Sequence, residues 1–357
     1  MRHVHQFHGV VAYGDAIGND ILNLQKMLRG LGYTSEVFAS HPQQKFESRT
    51  YHWHKYRKYS SPDNVLLCHF SIGYPPEVLY WLQTLSDRKV LIYHNITPAS
   101  YFAGISDVFF EETYTGRRQL AQLLPVTAAG WGDSDFNRQE LVTIGWQRTA
   151  VLPIVFEPQA YQIVPDQTTL DRLNHDRVLN VLFVSRVAPN KKFEDLILTF
   201  YYLKKFIESR ARLYLIGLPD QMEKYQAYLQ ALVARLGLDD VHFIGHVSRE
   251  ELVAYYRAAD VYLCMSEHEG FGVPLIESMY FDVPVIAYAA AAVPETMGEA
   301  GVLFTRKDHA AIAELINLVV RDETLRARLI AQQRQRWPQF TPDALMNCLR
   351  NCLETIE

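Results

Sequence analysis

Two glutamates eight positions apart, Glu269 and Glu277, bracket the turn Gly270-Phe271-Gly272-Val273-Pro274. An apolar strand-like run from Asp260 to Met265 enters this turn, and an apolar helical stretch from Pro274 to Tyr280 leaves it. Such a unit exposes a helix N-terminus. Glycine lets the backbone approach a ligand closely, and Pro274 suits the first helical position, where its missing N–H costs nothing. The first-turn amides and the positive end of the helix dipole form a cradle for a diphosphate. Glu269 is then placed to accept from sugar hydroxyls, and Glu277, about two turns along the helix, to reach a ribose. The plainer reading of the same residues is a βα-loop with two solvated glutamates, so the other motifs decide between them.

The second cluster is Val184-Ser185-Arg186-Val187-Ala188-Pro189-Asn190-Lys191-Lys192, directly after an apolar strand-like run. Open α/β sheets bind ligands outside the carboxyl ends of their strands. Arg186 and Lys191 there supply charge-assisted hydrogen bonds to a diphosphate, each worth about 1.5–3 kcal/mol and more as negative charge develops. In isolation, cations on a loop are usually solvated; beside the glutamate motif they read as a site. His94-Asn95-Ile96-Thr97-Pro98 and His69-Phe70-Ser71-Ile72-Gly73 also end strand-like runs, and a strand-end histidine is either structural or faces a ligand. Asp133-Ser134-Asp135 has the spacing of a divalent-metal motif, but it precedes a helical pattern and reads as a helix N-cap. His3, His5, His8, His52 and His54 lack a companion cluster at zinc-ligand spacing.

Strand-like runs alternate with helical patterns throughout, which implies parallel sheets covered on both faces. In the first half the runs are His3–Val10, Glu36–Ala39, Val65–Phe70, Val90–His94, Val126–Ala129 and Ala150–Val155. Ile17, Ile21, Leu24, Leu28 and Leu31 mark one face of a helix, stopped by Gly30 and Gly32. The second half repeats the scheme with Leu179–Ser185, Leu213–Ile216, Val241–Ile244, Val261–Met265, Val283–Tyr288 and Val302–Phe304. Ser248-Arg249-Glu250-Glu251 is a capping-box signature. The polar stretch Glu157–Asp176 reads as an irregular linker, and Thr341-Pro342-Asp343 starts a last helix through Leu353.

The glutamate pair with Gly-Phe-Gly-x-Pro inside it continues into Phe281-Asp282-Val283-Pro284-Val285-Ile286-Ala287 and Val293-Pro294-Glu295-Thr296-Met297-Gly298-Glu299-Ala300-Gly301-Val302-Leu303. Over most of the chain this resembles the retaining nucleotide-sugar glycosyltransferases of family 4. The resemblance implies an α/β chain of the GT-B fold, two Rossmann-like domains with parallel sheets facing across a cleft. Residues 1–156 would form the acceptor-side domain and 157–338 the nucleotide-sugar domain, with 339–357 a terminal helix crossing back to the first. It also implies catalytic roles for His94, near the sugar 6-hydroxyl, and for Arg186, Lys191 and Glu269. Donor contacts would come from Gly18, Gly217, Gly245, His246, Val247, Gly270, Phe271, Gly272, Val273 and Glu277. The Arg186–Lys191 spacing matches the family's, but the family has glycine where Lys192 stands, which leaves open which lysine reaches the diphosphate. The segment Tyr13–Asn19 occupies the place of the family's Gly-Gly loop without adjacent glycines.

At 357 residues the chain has room for two cores, and 48% apolar with 21% charged residues is ordinary for a globular protein. A net charge of −5 gives no polybasic footprint and excludes a nucleic-acid partner. The four cysteines make no disulfide framework: Cys68 and Cys264 read as core, while Cys348 and Cys352 share a helical face. With no signal peptide or spanning run, a cytoplasmic protein is expected, with peripheral contact to the inner face of the membrane as the alternative; the basic-aromatic stretch Tyr51–Tyr59 reads as a solvated loop, or else as a contact with a membrane surface or an acceptor glycan. The expected function is transfer of a hexosyl unit, without cofactor or metal, from a GDP- or UDP-sugar to a hydroxyl of a glycan or lipid-linked acceptor. The wording of Ser266–Glu269 and His94–Thr97 looks like mannosyltransferases of surface polysaccharide assembly. The alternatives are a sugar-nucleotide 2-epimerase on the same scaffold and a non-catalytic nucleotide-sugar-binding protein.

Overall fold

The computed structural model describes residues 3–11, 16–42, 50–176 and 178–356. The chain divides into two compact units: Met1–Ala99, Phe110–Glu157 and Phe340–Glu357 form the first, Ser100–Phe109 and Pro158–Gln339 the second. The short Ser100–Phe109 segment thus joins the second unit although it lies deep in the first half of the sequence.

Through the first half run β1 (Val4–Val11), α1 (Ala16–Gly30), β2 (Val37–Pro42), β3 (Thr50–His52), β4 (Val65–Phe70), α2 (Pro76–Thr84), β5 (Arg88–Tyr93), α3 (Asp107–Leu123), β6 (Ala129–Gly132), α4 (Asp135–Ile144) and β7 (Thr149–Val151). The sheet of the first unit is parallel, in the order β3-β2-β1-β4-β5-β6-β7. Alternation along its strands feeds two cores. Val4, Val65, Leu67, Val90 and Ile92 pack with Leu24 and Leu28 on one face, and Phe7, Leu66, Cys68, Leu91 and Tyr93 pack with Tyr74, Trp81 and Leu82 on the other.

After the first half come α5 (Gln167–Asn174), β8 (Leu179–Val184), α6 (Phe193–Tyr202), β9 (Ala211–Ile216), α7 (Glu223–Leu236), β10 (Val241–Gly245), α8 (Arg249–Ala258) and β11 (Val261–Cys264). They are followed by α9 (Val273–Tyr280), β12 (Val285–Tyr288), α10 (Val293–Met297), β13 (Val302–Phe304), α11 (His309–Arg321), α12 (Glu323–Arg336) and α13 (Pro342–Glu354). The second sheet is also parallel, in the order β10-β9-β8-β11-β12-β13. Strand order reverses between β1 and β4 in one sheet and between β8 and β11 in the other, the points where open parallel sheets leave a crevice at their carboxyl ends. The terminal helix α13 belongs to the first unit: Leu345, Leu349 and Leu353 complete the core on α1, and Arg88 donates to the Ile356 carbonyl at 2.7 Å. Cys348 and Cys352 share a face of α13, both aimed at the Val151 carbonyl.

Four local expectations are corrected. The strand expected at Val126–Ala129 starts at Ala129, because Leu124–Val126, with Pro125 inside, forms a 3-10 turn. The run expected to Val155 pairs only over Thr149–Val151, and the Val155 amide goes instead to the Asp20 carboxylate at 2.8 Å. The supposed linker Glu157–Asp176 is structured, with a turn at Pro158–Tyr161 and α5 capped by the Asp166 side chain on the Thr169 amide. Pro274 sits second in α9, which starts at Val273 after the Gly272 cap. The Ser248–Glu251 capping box has both of its hydrogen bonds. No helix among the described residues is long and apolar enough to cross a membrane.

Candidate active site

In the second unit the loops after β8 and β11 are laced together by backbone contacts. The Glu267 amide donates to the Asn190 carbonyl at 2.9 Å, and the buried Asn190 side chain donates to the His268 carbonyl at 3.0 Å. This lacing sets Lys191 against Glu269, Nζ to Oε2 2.5 Å, with both side chains partly exposed. Lys192 turns away to Glu267 and Glu194 at 3.4 and 3.5 Å. Its φ of 55° and ψ of 51° place it in the left-handed region, which glycine adopts without a Cβ penalty. The left-handed turn separates the two lysines, and of the two it is Lys191 that meets Glu269. Glu267 also receives Lys307 at 2.9 Å and the Tyr101 hydroxyl at 3.4 Å.

Arg186, on the exposed shoulder of the same loop, holds its guanidinium 4.6 Å from the centre of the Phe109 ring. A guanidinium held over an aromatic ring still has its planar fork of N–H groups to offer phosphate oxygens. Gly217, at the end of β9, is required by crowding: a Cβ there would lie 1.9 Å from the Ser185 carbonyl oxygen. Its amide bonds to the Gly245 carbonyl at 3.0 Å, which brings the ends of β9 and β10 beside the β8 loop, with His246 exposed and Val247 half-buried just beyond.

The turn Gly270–Val273 is held from beneath. The Thr296 hydroxyl donates to the Phe271 carbonyl at 2.6 Å, and the Ala292 amide to the Glu269 carbonyl at 3.2 Å. Gly272 caps α9 with φ 95°. The Leu275 amide turns back to Gly272 at 3.0 Å and Pro274 has none, so the first turn offers fewer amides to an anion than its length suggests. Glu277 departs most from expectation. It is 7% exposed, and its two oxygens accept the hydroxyls of Tyr161 and Tyr256, the latter at 2.5 Å. Burial raises its pKa above the usual carboxylate range, against those two hydrogen bonds.

In the first unit a buried polar chain runs from Gln6 inside β1 to the carboxyl ends of β4, β5 and β6. His69 Nε2 meets Gln6 Oε1 at 2.9 Å, His69 Nδ1 meets His94 Nε2 at 2.8 Å, and His94 Nδ1 meets Asp133 Oδ2 at 2.9 Å. His8 Nδ1 lies 2.8 Å from the His69 carbonyl. Asp20, on α1, sits beside them fully buried, and desolvation pushes its pKa up to about 7. The loop after His94 is clamped: Asn95, at φ 71°, bonds Asn137 at 2.8 Å, and Arg117 holds the Ile96 carbonyl at 2.6 Å and Glu140 at 2.8 Å. Asp133 is therefore neither cap nor exposed metal ligand. Ser134 caps α4 through the Asn137 amide, and Asp135 pairs with Arg138. Ligand-type atoms of Asp20, His69 and His94 fall within 4.8 Å of one another, but those of the histidines are already hydrogen-bonded to each other. His5 is a core residue among Phe38, Tyr56 and Tyr59, its pKa lowered by burial to about 4.

Residues 171–336 match the family described as glycosyl transferases group 1. They form a group 1 glycosyltransferase domain. The chain is 28% identical over 169 residues to O-antigen chain mannosyltransferase B of Escherichia coli, covering 46% of this chain and 44% of that one. It is 28% identical over 264 residues to D-inositol 3-phosphate glycosyltransferase of Acidothermus cellulolyticus, covering 67% and 57%. The chain spans less than two thirds of the length of either relative. The fold matches the crystal structure of Anabaena Alr3699/HepE in complex with UDP-glucose over 99% of both chains, with TM-score 0.76 and 16% identity. Sucrose-phosphate synthase of Thermosynechococcus elongatus matches over 99% of both, with TM-score 0.77 and 18% identity. Two parallel-sheet Rossmann-like units of this kind are the GT-B fold.

The group 1 domain carries Arg186, Lys191, Gly217, Gly245, His246, Val247, Glu269, Gly270, Phe271, Gly272, Val273 and Glu277. His94 and Gly18 belong to the first unit. Gly18 is buried inside the first turn of α1 rather than on a loop, and residues 12–15 of the loop expected there lie outside the described residues. Sequence reasoning missed Tyr161, Tyr256, Phe109 and Asn190, which hold Glu277, Arg186 and the two loops. Only Asn190 left a trace, as the residue between Pro189 and Lys191 in the basic motif.

Proposed function

We propose that the chain is a retaining, metal-independent glycosyltransferase that moves a hexosyl unit, mannosyl in preference, from a nucleotide diphosphate sugar to a hydroxyl of a glycan or lipid-linked acceptor. The observation that carries this reading is the Lys191–Glu269 pair at the loop ends of β8 and β11, beside Arg186 and the start of α9. An arriving diphosphate draws Lys191 and Arg186 by charge, and Glu269, released from Lys191, accepts from sugar hydroxyls. Both cations bind more strongly as negative charge collects on the leaving diphosphate, so their binding energy lowers the barrier. Two cations and a helix start replace the metal that would otherwise neutralise that charge. The donor class is supported by the UDP-glucose bound to Anabaena Alr3699/HepE, and mannosyl by the name of the Escherichia coli relative. The expected location is the cytoplasm, with peripheral contact to the membrane where a lipid-linked acceptor would be met.

The experiment is incubation with a panel of GDP- and UDP-sugars, with and without EDTA, scoring hydrolysis or transfer and the anomeric configuration of the product by NMR. Turnover in EDTA with the donor's configuration kept is the expected result. Inversion would remove the retaining mechanism, loss of turnover in EDTA restored by Mn²⁺ would remove metal independence, and binding of every donor without turnover would remove catalysis altogether.

A further inference from the structure

The buried chain Gln6–His69–His94–Asp133 fixes its own protons. The Gln6 amide nitrogen donates to the Ile21 carbonyl at 3.0 Å, which can only accept, so the Gln6 oxygen must be the atom that faces His69 Nε2 at 2.9 Å. His69 Nε2 therefore carries a hydrogen. Full burial, then the neighbouring His94 and His8, hold the His69 pKa well below the ordinary histidine value, so this ring is neutral and its Nδ1 is a lone pair. His94 Nε2, 2.8 Å from that lone pair, must supply the hydrogen between them. What remains is His94 Nδ1 against Asp133 Oδ2 at 2.9 Å. If that contact held no proton, a lone pair would face a carboxylate in a buried site. Either His94 is an imidazolium or Asp133 is a carboxylic acid.

We propose that His94 and Asp133 hold one proton between them, and that Gln6, His69 and Asp133 are positioning residues that keep both ring nitrogens of His94 in use, so that His94 serves the reaction as a ring fixed in place and not as a proton acceptor. The geometry differs from a catalytic histidine-carboxylate pair, in which the carboxylate accepts a hydrogen bond from Nδ1–H and leaves Nε2 as a base. Here Nε2 is spent on His69. The groups that face this pair are His69 on β4, Gln6 on β1, Asp20 on α1 and Asp133 after β6, with His8 on the far side of His69. Asp20 adds a second carboxyl to the cluster and accepts from the Val155 amide at 2.8 Å. The role in turnover rests on the glycosyl transfer proposed above; the protonation state does not.

Nitrogen-15 NMR of protein labelled at its 13 histidines, assigned with His69→Asn and His94→Asn, tests this on the full chain. The expected result is a His94 Nε2 that stays protonated from slightly acidic to moderately alkaline pH, and a His69 with hydrogen on Nε2 and a lone pair on Nδ1. A His94 Nε2 that gives up its proton in an ordinary histidine titration would overturn the assignment. In the activity arm, Asp133→Asn should lower kcat about tenfold or more, the scale of one lost charge-assisted hydrogen bond, with KM for the donor unmoved. Asp133→Glu should recover part of the loss. An unchanged kcat in Asp133→Asn would overturn the positioning role even with the protons as stated. If the unaltered protein transfers no sugar, the reading of its function falls and the NMR result alone decides the protonation state.

Discussion

The two units carry their polar groups in opposite ways. In the second, Lys191, Glu269, Lys192, Glu267 and Lys307 are partly exposed and joined as ion pairs. Pairs of this kind are worth about 0–1 kcal/mol in water-accessible settings, so a cation can leave its carboxylate for a phosphate at small cost. In the first, His69, His94 and Asp133 are buried and joined by directed hydrogen bonds, and breaking one strands a polar group at about 1–3 kcal/mol. One region is suited to changing partners and the other to keeping them.

The largest expected effect lies in the exchanging region. Lys191→Ala should lower turnover about a hundredfold or more, as removal of one preorganised donor to a developing anion does, while urea denaturation moves by less than about 1 kcal/mol. Lys192→Ala should leave turnover within a few fold. If Lys192→Ala is the crippling change, the assignment of Lys191 from its contact with Glu269 is wrong.

Glu277 belongs by its environment to the keeping kind, although it lies in the same motif as Glu269. Glu277→Ala strands the hydroxyls of Tyr161 and Tyr256 and should cost about 2–3 kcal/mol of stability by urea denaturation. Glu269→Ala should lose under about 1 kcal/mol and show its effect in turnover. Equal stability losses in the two variants would erase the distinction between them. A Glu277→Gln variant with unchanged stability but weaker nucleoside diphosphate binding would restore the ribose contact as its main role.

The difference between the regions also decides what could be read from the chain. The second site is nearly linear: Glu269 to Glu277 and Arg186 to Lys191 each fall in one short string, so residue types and spacing carry the chemistry. Parallel sheets were legible for the same reason, since apolar runs of strand length alternate with helical periodicity. The first site takes Gln6, Asp20, His69, His94 and Asp133 from strands, the residues that follow strands and a helix, all far apart in sequence. They meet only because β1, β4, β5 and β6 are neighbours in the sheet, an order no local pattern encodes. Asp133 consequently read as part of a cap or a metal motif. Tyr161 was hidden in an apparent linker, and Phe109 lies 77 positions before the Arg186 it supports.

A third expectation concerns pH. The Asp20 pKa is about 7 in the folded chain against 3.8 for a free side chain, because burial disfavours its charged form. A pKa raised by folding means that stability from this group is fully present below the unfolded value and drains away as pH climbs to about 7. Asp20→Asn keeps an acceptor for the Val155 amide and removes the titration. Its stability relative to the unaltered chain should therefore rise between pH 5 and pH 8, by about 1 kcal/mol or more. A relative loss at pH 8 would mean that an ionised Asp20 stabilises His94 by more than its burial costs.

The smallest expected effect separates backbone from charge at Lys192. Its left-handed conformation is disfavoured by about 1–2 kcal/mol for a residue with a Cβ, and its contacts with Glu267 and Glu194 at 3.4 and 3.5 Å offset part of that. Lys192→Ala removes the contacts and keeps the strain; Lys192→Gly removes both. The difference between the two variants therefore isolates the backbone, apart from the extra freedom glycine gives the unfolded chain, about 0.4–1 kcal/mol in the other direction. Lys192→Gly should be the more stable by about 0.5–1 kcal/mol in urea denaturation, with turnover close to that of Lys192→Ala. An alanine variant as stable as the glycine one would mean that this loop relaxes out of the left-handed region once the lysine contacts are gone. The lacing of Asn190 to His268, two residues away, would then have to hold Lys191 in register without help from the turn that follows it.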